Sequence, residues 1–290
     1  MQATRTPIVA RLPLRGMIVA PKDHYLVNFD LAQAESWIVA YLADEPNMKR
    51  ALQFGDIHRE TAQNAFAELS DDEWLALDKS EIKLRRYTGK RYNHASAYRM
   101  GPFRAAEIIN KDSDKPPYFS VSVAESKEFY KKWHGYYHIE GWWHDIERQL
   151  NQTRTLKTPY NRIRYFFEQW GEQLFKMATA YVPQSTIADH MNGKIQRELG
   201  IAGGVLEVKR QLADKGALEI INQSHDSILN IVHRSVLKEV CEQTHSLLLR
   251  PLVVNGEEFT VPVDCEIGER WGELKEQKRE TGSYDIQFAA

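Results

Sequence analysis

The alternation of hydrophobic and polar residues predicts strands near both ends of the chain and helices between them. YLVNFD (25–30) is rich in β-forming residues and predicts a short strand. AQAESWIVAYLADE (32–45) repeats apolar residues at helical spacing and predicts a helix that ends near Pro46. Further helical patterns cover 79–100, 123–150 and 171–198, and Pro183 is expected to kink or split the last helix.

The C-terminal third of the chain returns to strand-like patterns. ALEIINQ and SILNIV flank His225 and Asp226 and predict a β-hairpin with this pair at or near its tip. A helix over 233–249 and a final strand, FTVPVDCEI (259–267), complete the pattern. Strands at the ends and helices in the middle are typical of the α+β class, here a small antiparallel sheet with a helical insertion.

The composition is that of a globular protein, with 42% hydrophobic and 27% charged residues, and it excludes wholesale disorder. No apolar run approaches the ~20 residues that span a bilayer, and the N-terminus lacks the apolar core of a secretory signal. We therefore expect a cytoplasmic protein without a membrane partner. Cys241 and Cys265 are too few for a disulfide framework or a Cys-rich zinc site.

The formal net charge of −2 does not by itself indicate a nucleic-acid-binding protein. Basic residues nevertheless cluster in two segments, 83–99 and 154–164, and the second contains Arg162. Solvated helix faces would explain such clusters equally well, so their meaning depends on the spacing of individual residues.

Two carboxylates are predicted at the ends of strand-like segments far apart in sequence, Asp30 and Asp226. An antiparallel sheet can bring such positions side by side, and a divalent cation between adjacent carboxylates relieves their repulsion. Paired Mg²⁺ ions about 3.5–4 Å apart activate an attacking oxygen and stabilise a leaving one in several enzyme classes, polymerases among them. Alternatively, Asp30 caps the following helix and Asp226 is an ordinary turn residue, which spacing alone favours.

A second pattern places four side chains on one face of the helix predicted over 79–100. Arg86, Lys90, His94 and Tyr98 recur at every fourth residue, so neighbouring side chains lie one above the other. The two cations suit triphosphate oxygens, and the two rings suit stacking against a base and a sugar. A solvated basic face is the alternative, although Tyr98 makes a wholly solvent-facing stripe less natural.

Several segments, in chain order, resemble the motifs of family A DNA polymerases, the relatives of bacterial DNA polymerase I and of bacteriophage replicative enzymes. VNFDLAQAE resembles their first palm motif, D-Y-S-Q-x-E, and DIHRETA the histidine-containing motif that follows it. RRYTGKRYNHASAYRMG resembles the fingers helix that binds the incoming nucleotide. VPQSTIADHM, QSHDS and VPVDCEIGERW resemble P-V-Q-G-T-A-A-D, the last palm motif x-H-D-E, and the C-terminal strand. Together they extend from about residue 15 to about residue 275.

This resemblance implies a family A polymerase-like fold with a palm over 1–48 and 173–290 and fingers over 49–172. It also implies template-directed DNA synthesis by two-metal nucleotidyl transfer. Asp30, Asp226 and the backbone carbonyl of Leu31 would hold two Mg²⁺ ions, for which Mn²⁺ can substitute. Nucleotide contacts are implied for Gln33, Glu35, His58, Arg86, Lys90, His94 and Tyr98. DNA contacts are expected from Gln184, Gln223, His225 and Arg162.

Two of these residues have more specific implied roles. Lys90 would protonate the leaving pyrophosphate, and Glu35 would exclude a ribose 2′-hydroxyl. Several positions depart from the family pattern: His94 replaces Phe or Tyr, Arg99 replaces glycine, and Ser227 replaces a glutamate near the metals. Leu31 and Ala32 replace Tyr-Ser, and Ala180 lies where bacterial members often carry asparagine. Catalysis remains the expectation because both metal-binding aspartates are present.

The expected partners are primer–template DNA and dNTPs, in a bacterial or phage-infected cell. About thirty residues precede Asp30, so we expect a thumb or a proofreading exonuclease to come from a separate chain or to be dispensable.

Two other functions stay open at this stage. One is a polymerase-like DNA-binding or scaffolding subunit that has lost turnover, although such a subunit needs neither aspartate. The other is an HD-type phosphohydrolase, suggested by His225-Asp226 and by His144-Asp145. Those hydrolases carry the pair on a helix, whereas His225-Asp226 is predicted between strands.

Overall fold

The structure is a computed structural model that describes residues 14–111, 119–280, 283–284 and 286. The strands in chain order are β1 (His24–Leu31), β2 (Thr155–Lys157), β3 (Ile163–Tyr165), β4 (Glu219–Ser224), β5 (Ser227–His233), β6 (Pro251–Val254), β7 (Glu257–Thr260), β8 (Val263–Gly268), β9 (Lys275–Glu276), β10 (Arg279–Glu280) and β11 (Ser283–Tyr284).

The helices lie mainly between the first two strands of the chain and on either side of the β4–β5 hairpin. They are α1 (Ala34–Leu42), α2 (Pro46–Phe54), α3 (Ile57–Glu60), α4 (Asp71–Ala76), α5 (Lys79–Ala97), α6 (Pro102–Lys111), α7 (Val123–Tyr136), α8 (Glu140–Thr153), α9 (Glu172–Asn192), α10 (Gly204–Gln211) and α11 (Leu237–Leu248). A π-helix, Thr61–Phe66, continues α3.

A five-stranded sheet joins the two ends of the chain, with strand order β4-β5-β1-β8-β9 and antiparallel pairing throughout. The described remainder forms three two-stranded sheets: β2-β3, β6-β7 and β10-β11. The predicted α+β class, with a small antiparallel sheet and a helical insertion, is confirmed.

Strand β1 lies in the middle of the sheet and separates an apolar face from a polar one. Val27, Phe29 and Leu31 are buried in the core, and strand geometry turns Asn28 and Asp30 to the opposite face. Because both edges of β1 are hydrogen-bonded, by β5 and by β8, the position of Asp30 is fixed from two sides.

Helix α5 packs against α3, the π-helix and α7. The approach of α3 is so close that a Cβ atom on Gly89 would lie 2.3 Å from the carbonyl oxygen of His58. Glycine is therefore required at this position, and it sets the distance between His58 and the exposed face of α5.

Some predicted elements differ from the observed ones. Helix α9 runs unbroken through Pro183, so the predicted split is wrong; buried residues on both sides, including Val182 and Thr186, hold its two halves in one packed helix. The predicted final strand is two strands, β7 and β8, separated at Pro262, which has no N–H to donate to a ladder. The helical pattern over 123–150 is also divided, into α7 and α8.

Candidate active site

Four carboxylates from three parts of the chain line one cavity of about 550 Å³ beside the central strand. Asp30 comes from β1, Asp226 from the β4–β5 hairpin, and Asp264 and Glu266 from β8. Asp30 lies opposite Ser227 in β5 and opposite Asp264 in β8, so these three residues form one row across the sheet. The sheet thus brings the two sequence-predicted aspartates to a common cavity.

The hairpin that carries Asp226 has the predicted form. Ser224 pairs with Ser227, which leaves His225 and Asp226 as its two-residue tip, with His225 at a φ of 51°. The backbone N–H of Leu31 donates a hydrogen bond to the carbonyl oxygen of Asp226 at 3.0 Å. This bond ties the tip of the hairpin to the end of β1.

The cavity concentrates negative charge. Burial raises the pKa of Asp30 to about 7, the charges of Asp226, Asp264 and Glu266 add to this effect, and the charge of Lys90 opposes it. Burial also raises the pKa of Asp226 and of Asp264. Within the described ranges, no Lys, Arg or His side chain forms an ion pair with any of the four carboxylates.

The donor chemistry of this cavity fits a hydrated magnesium ion. Carboxylate and carbonyl oxygens are the ligands that Mg²⁺ prefers, and Mg²⁺ usually keeps several waters while binding one or two carboxylates. No group of three or more His, Cys, Asp or Glu side chains that could hold a metal occurs in the part of the chain that the structure describes. Asp30 and Asp226, completed by water molecules, are a donor set that fits such an ion.

The alternative in which Asp30 caps a helix is wrong. Helix α1 begins at Ala34, and its N-cap residue is Gln33, which makes no side-chain capping bond. Gln33 has a positive φ of 55°, and its Oε1 atom is buried with no hydrogen-bond partner among the described residues. Asp226 does lie in a turn, but its half-buried carboxylate faces the same cavity as that of Asp30.

Glu35, in the first turn of α1, connects this region to the end of α5. Its carboxylate accepts a hydrogen bond from the hydroxyl of Tyr98. Burial and the charge of Glu35 raise the pKa of Tyr98 well above its usual value. The charge of Glu35 also contributes to the raised pKa of Asp226, so Glu35 acts on both groups.

The predicted stripe on α5 is present. Arg86, Lys90 and His94 are exposed, and Tyr98 is half-buried immediately after the helix ends. The guanidinium group of Arg86 forms an ion pair with the carboxylate of Asp56. The charge of Lys90 is close enough to the carboxylate cavity to lower the pKa of Asp30.

His58, whose side chain is buried, joins this stripe from helix α3. The ring centroids of His58 and His94 are 6.0 Å apart. Burial lowers the pKa of His58 to about 3; Asp56 opposes this shift, while Arg86, His94 and Lys90 reinforce it. Desolvation by surrounding protein also lowers the pKa of the exposed His94 ring. Both rings are therefore neutral near pH 7.

Three of the four residues predicted to contact DNA lie near the C-terminal half of α9. Gln184 is exposed on this helix, four-residue spacing puts Asn192 on the same face, and the Nε2 atom of Gln223 donates to Asn192 Oδ1 at 2.8 Å. His225 is exposed two residues beyond Gln223. The fourth, Arg162, contacts the same half of α9 through the buried side chain of Asp189.

Arg162 lies in the turn between β2 and β3. Its Nε atom lies 3.1 and 3.0 Å from the two carboxylate oxygens of Asp189, which is buried in α9. The guanidinium group is thus committed to an ion pair within the protein, although 51% of the side chain remains accessible.

Comparison with known proteins shows which family this site belongs to. The family model for DNA polymerase family A matches residues 4–273. The chain belongs to DNA polymerase family A. It is 22% identical to DNA polymerase I of Helicobacter pylori, over 94% of this chain and 29% of that protein. It is 26% identical to the thermostable DNA polymerase I of Thermus filiformis, over 94% of this chain and 30% of that protein.

This family A chain spans about 30% of the length of the curated relatives it matches. Among solved structures, it resembles the POL domain of Pol1 from M. smegmatis in complex with DNA primer-template and dNTP. The TM-score is 0.68 at 20% identity, and the match covers 89% of this chain and 42% of that one. This likeness shows a shared fold. None of the described helices is both long and apolar enough to cross a membrane.

Two features of this family A site were missed from sequence. Asp264 and Glu266 add carboxylates beside Asp30, and the period-two alternation of VPVDCEI could have placed them on one strand face. Asn93 is buried behind the α5 stripe and bonds to His58. No sequence signal marks Asn93, because its partners come from α3, the π-helix and α7.

Proposed function

We propose that this chain is the palm and fingers part of a DNA-directed DNA polymerase, which extends a primer by template-directed nucleotidyl transfer. The palm would comprise 1–48 and 173–290, and the fingers 49–172. The observation that supports it most directly is a cavity lined by Asp30 and Asp226, whose carboxylates form no ion pair with any described residue, together with the charge of Lys90, which lowers the pKa of Asp30. Opposed carboxylates and cations suit a reaction that assembles metal ions and a triphosphate between them.

The two aspartates and the Leu31 carbonyl would hold two Mg²⁺ ions, or Mn²⁺ in their place, which activate the primer 3′-hydroxyl and neutralise phosphate charge. Arg86, Lys90 and His58 would bind the triphosphate from the side of α5. Lys90 would also stabilise the developing charge and pass a proton to the leaving pyrophosphate.

The remaining nucleotide contacts would come from the base of α5 and the start of α1. His94 and Tyr98 would contact the base and sugar of the nucleotide. Gln33 and Glu35 would lie on the sugar side, where the Glu35 carboxylate, held by the Tyr98 hydroxyl, leaves little room for a 2′-hydroxyl. We therefore expect dNTPs to be preferred over rNTPs.

Primer–template DNA would bind along the surface that carries Gln184, Gln223 and His225. Arg162 would contact DNA only with the part of its side chain that the ion pair with Asp189 leaves open. The M. smegmatis relative, whose structure contains primer-template DNA and a dNTP, supports these partners. A separate chain supplying a thumb or an exonuclease stays a prediction.

Primer extension by the purified chain tests the proposal. With Mg²⁺, a primed template and dNTPs, we expect incorporation and pyrophosphate release. Asp226→Asn should reduce the rate at least a thousandfold, since it removes a metal ligand, while circular dichroism and the melting temperature stay unchanged. Asp145→Asn is the matched control, because Asp145 also follows a histidine but is exposed and paired with Arg148.

The outcomes separate the candidate functions. Incorporation that survives Asp226→Asn would refute the metal assignment. DNA binding without incorporation, even with added partner proteins, would point to a polymerase-like scaffolding subunit. Phosphate-ester hydrolysis without primer or template would point to a phosphohydrolase, although His225-Asp226 lies at a hairpin tip and not on a helix.

A further inference from the structure

Behind the exposed face of α5, a buried hydrogen-bond network reaches from α7 to His58. Its centre is Asn93, which is 3% exposed. Asn93 Oδ1 accepts hydrogen bonds from Trp133 Nε1 and from Thr61 Oγ1, each at 2.8 Å. Asn93 Nδ2 lies 3.0 Å from His58 Nδ1 and 3.3 Å from the carbonyl oxygen of Ile57. Every polar atom of this buried amide therefore has a partner.

Donor and acceptor roles in this network leave only one arrangement. The indole N–H of Trp133 can only donate, so the atom of Asn93 that faces it must be the acceptor oxygen. The amide nitrogen of Asn93 must then face His58, and an amide nitrogen can only donate. His58 Nδ1 therefore accepts, which leaves the ring proton of a neutral His58 on Nε2.

We propose that Trp133 and Asn93 are positioning residues that hold His58 as its neutral Nε2–H tautomer, so that His58 offers a fixed hydrogen-bond donor to a phosphate oxygen of the nucleotide. This proposal rests on the proposed polymerase function, because it assigns His58 a role in binding the triphosphate. To that role the proposal adds the tautomer of the neutral His58 ring and the two side chains that impose this tautomer.

The surroundings of His58 agree with this role. Arg86, Lys90 and His94 approach it from α5, and Asp56 approaches from the start of α3. Asp56 is already engaged, since one carboxylate oxygen accepts from the backbone N–H of His58 at 2.9 Å and the other binds Arg86. An Nε2–H donor among cationic side chains suits an anionic ligand. The lowered pKa of His58 keeps the ring neutral throughout the physiological range.

The network is also fixed from behind. The Tyr137 hydroxyl lies 3.0 Å from Thr61 Oγ1, and Trp133 and Tyr137 are both fully buried. Rotation of the Asn93 amide would place two donors against the indole N–H and leave a buried group unsatisfied, which costs about 1–3 kcal/mol. The tautomer of His58 is thus set by a tryptophan that does not touch it.

Nitrogen NMR of the full chain labelled with ¹⁵N-histidine tests the tautomer directly. His58→Gln assigns the His58 signals by their loss. We expect the wild-type spectrum to show a protonated Nε2 and an unprotonated Nδ1, unchanged between about pH 5.5 and pH 8, because the folded-state pKa of His58 is about 3. A proton on Nδ1, or titration near pH 6.5, would overturn the proposal without any variant having to fold.

Asn93→Asp is the decisive variant because the side chain of aspartate has nearly the same shape as that of asparagine. An aspartate at position 93 still accepts from Trp133 and Thr61, but it cannot donate to His58, so a proton must move to Nδ1. We expect His58 to change to the Nδ1–H form or to become charged. Gln53→Glu adds the same charge on α2, away from this network, and should leave the His58 spectrum unchanged. An unaltered tautomer in Asn93→Asp would also overturn the proposal.

Binding of dTTP and of inorganic triphosphate completes the test. Where the spectrum of Asn93→Asp shows the neutral Nδ1–H form, His58 has lost its Nε2 donor, and both probes should bind roughly tenfold more weakly. Equal affinity in that form would overturn the assigned role. The proposed function fails separately: a wild-type chain with the expected tautomer that binds neither probe would refute His58 as a triphosphate ligand, while the Trp133–Asn93–His58 arrangement would stand.

Discussion

The carboxylate cavity beside β1 and the cationic face of α5 differ in the way their charges are held. In the cavity, backbone ladders fix Asp30 and Asp264 side by side, and no side chain of the described residues neutralises them by an ion pair. On α5, the helix period sets the spacing of the side chains, and Arg86 already forms an ion pair with Asp56. The hydrogen-bond network of Asn93 lies behind this face of the helix. The four carboxylates that have no ion-pair partner among the described residues therefore lie on the strand side.

This difference indicates which region depends on a ligand. The α5 face can keep its arrangement alone, because every polar atom of the Asn93 amide behind it has a hydrogen-bond partner. The carboxylates of the cavity repel one another until a cation enters or a proton binds. This repulsion contributes to the raised pKa of Asp30. The charge of Lys90, on α5, acts on Asp30 in the cavity and so links the two regions.

The largest expected effect comes from removing this link. Lys90→Met should lower the rate of nucleotide incorporation by roughly 10²–10³-fold, because it removes a cation from the developing phosphate charge. It should also raise the pKa of Asp30 further, since the charge of Lys90 lowers it. Single-turnover incorporation measured against pH tests both effects. Lys131→Met, which changes an exposed lysine of α7, is the control. A rate within twofold of wild type in Lys90→Met would contradict the prediction.

A smaller effect is expected from disturbing the packing behind the α5 face. Gly89→Ala should lower the free energy of unfolding by about 1–3 kcal/mol, because the new Cβ meets the backbone of His58 at 2.3 Å. Gly135→Ala, in the helix α7 with nothing within 4 Å of its Cβ, should instead stabilise by up to about 1 kcal/mol. Urea unfolding of both variants measures this contrast, and equal effects would show that α3 does not press on Gly89.

The smallest effect concerns the charge of the cavity without divalent cations. The folded-state pKa of Asp30, about 7, exceeds its ordinary value of 3.8, so the folded state binds this proton more tightly. Stability should therefore fall as pH rises from about 4 to about 7. Asp30→Asn removes this loss and should be more stable than wild type at pH 8 by on the order of 1–2 kcal/mol, after allowing for partial exposure, and about equal at pH 4.

Urea unfolding at both pH values measures the effect of Asp30→Asn, with Asp145→Asn as the exposed control. A difference between Asp30→Asn and wild type that does not change with pH would contradict the raised pKa. Added Mg²⁺ should reduce the advantage of the variant at pH 8, because a bound cation stabilises the ionised wild type.

The sequence predicted the features that depend on local spacing. Four-residue repeats are fixed by the helix itself, so the stripe from Arg86 to Tyr98 was visible, and the hairpin tip at His225-Asp226 followed from two strand patterns with a break between them. Asp264 was missed because only the register of β1 against β8 places it beside Asp30. The register between two distant strands cannot be predicted from the sequence of either strand alone. The roles of these residues stay predictions.

The two prolines at 183 and 262 affect secondary structure in opposite ways. Pro183 does not interrupt α9, because tertiary packing outweighs the loss of one backbone hydrogen bond, whereas Pro262 does separate β7 from β8. The role of Asn93 could not be predicted from sequence either, because it depends on a hydrogen bond from the indole of Trp133, forty positions away. Local rules therefore predict elements well and partners between elements poorly.

The position of β1 between two paired strands has a consequence for the motion of the site. Amide protons along β1, shielded on both edges, should exchange with solvent slowly, while those of the two-residue hairpin tip should exchange fast. One aspartate thus lies on a strand that is paired on both edges, and the other on a two-residue tip that one backbone hydrogen bond joins to β1. Any adjustment of their separation to fit ions of different radius should come from the hairpin.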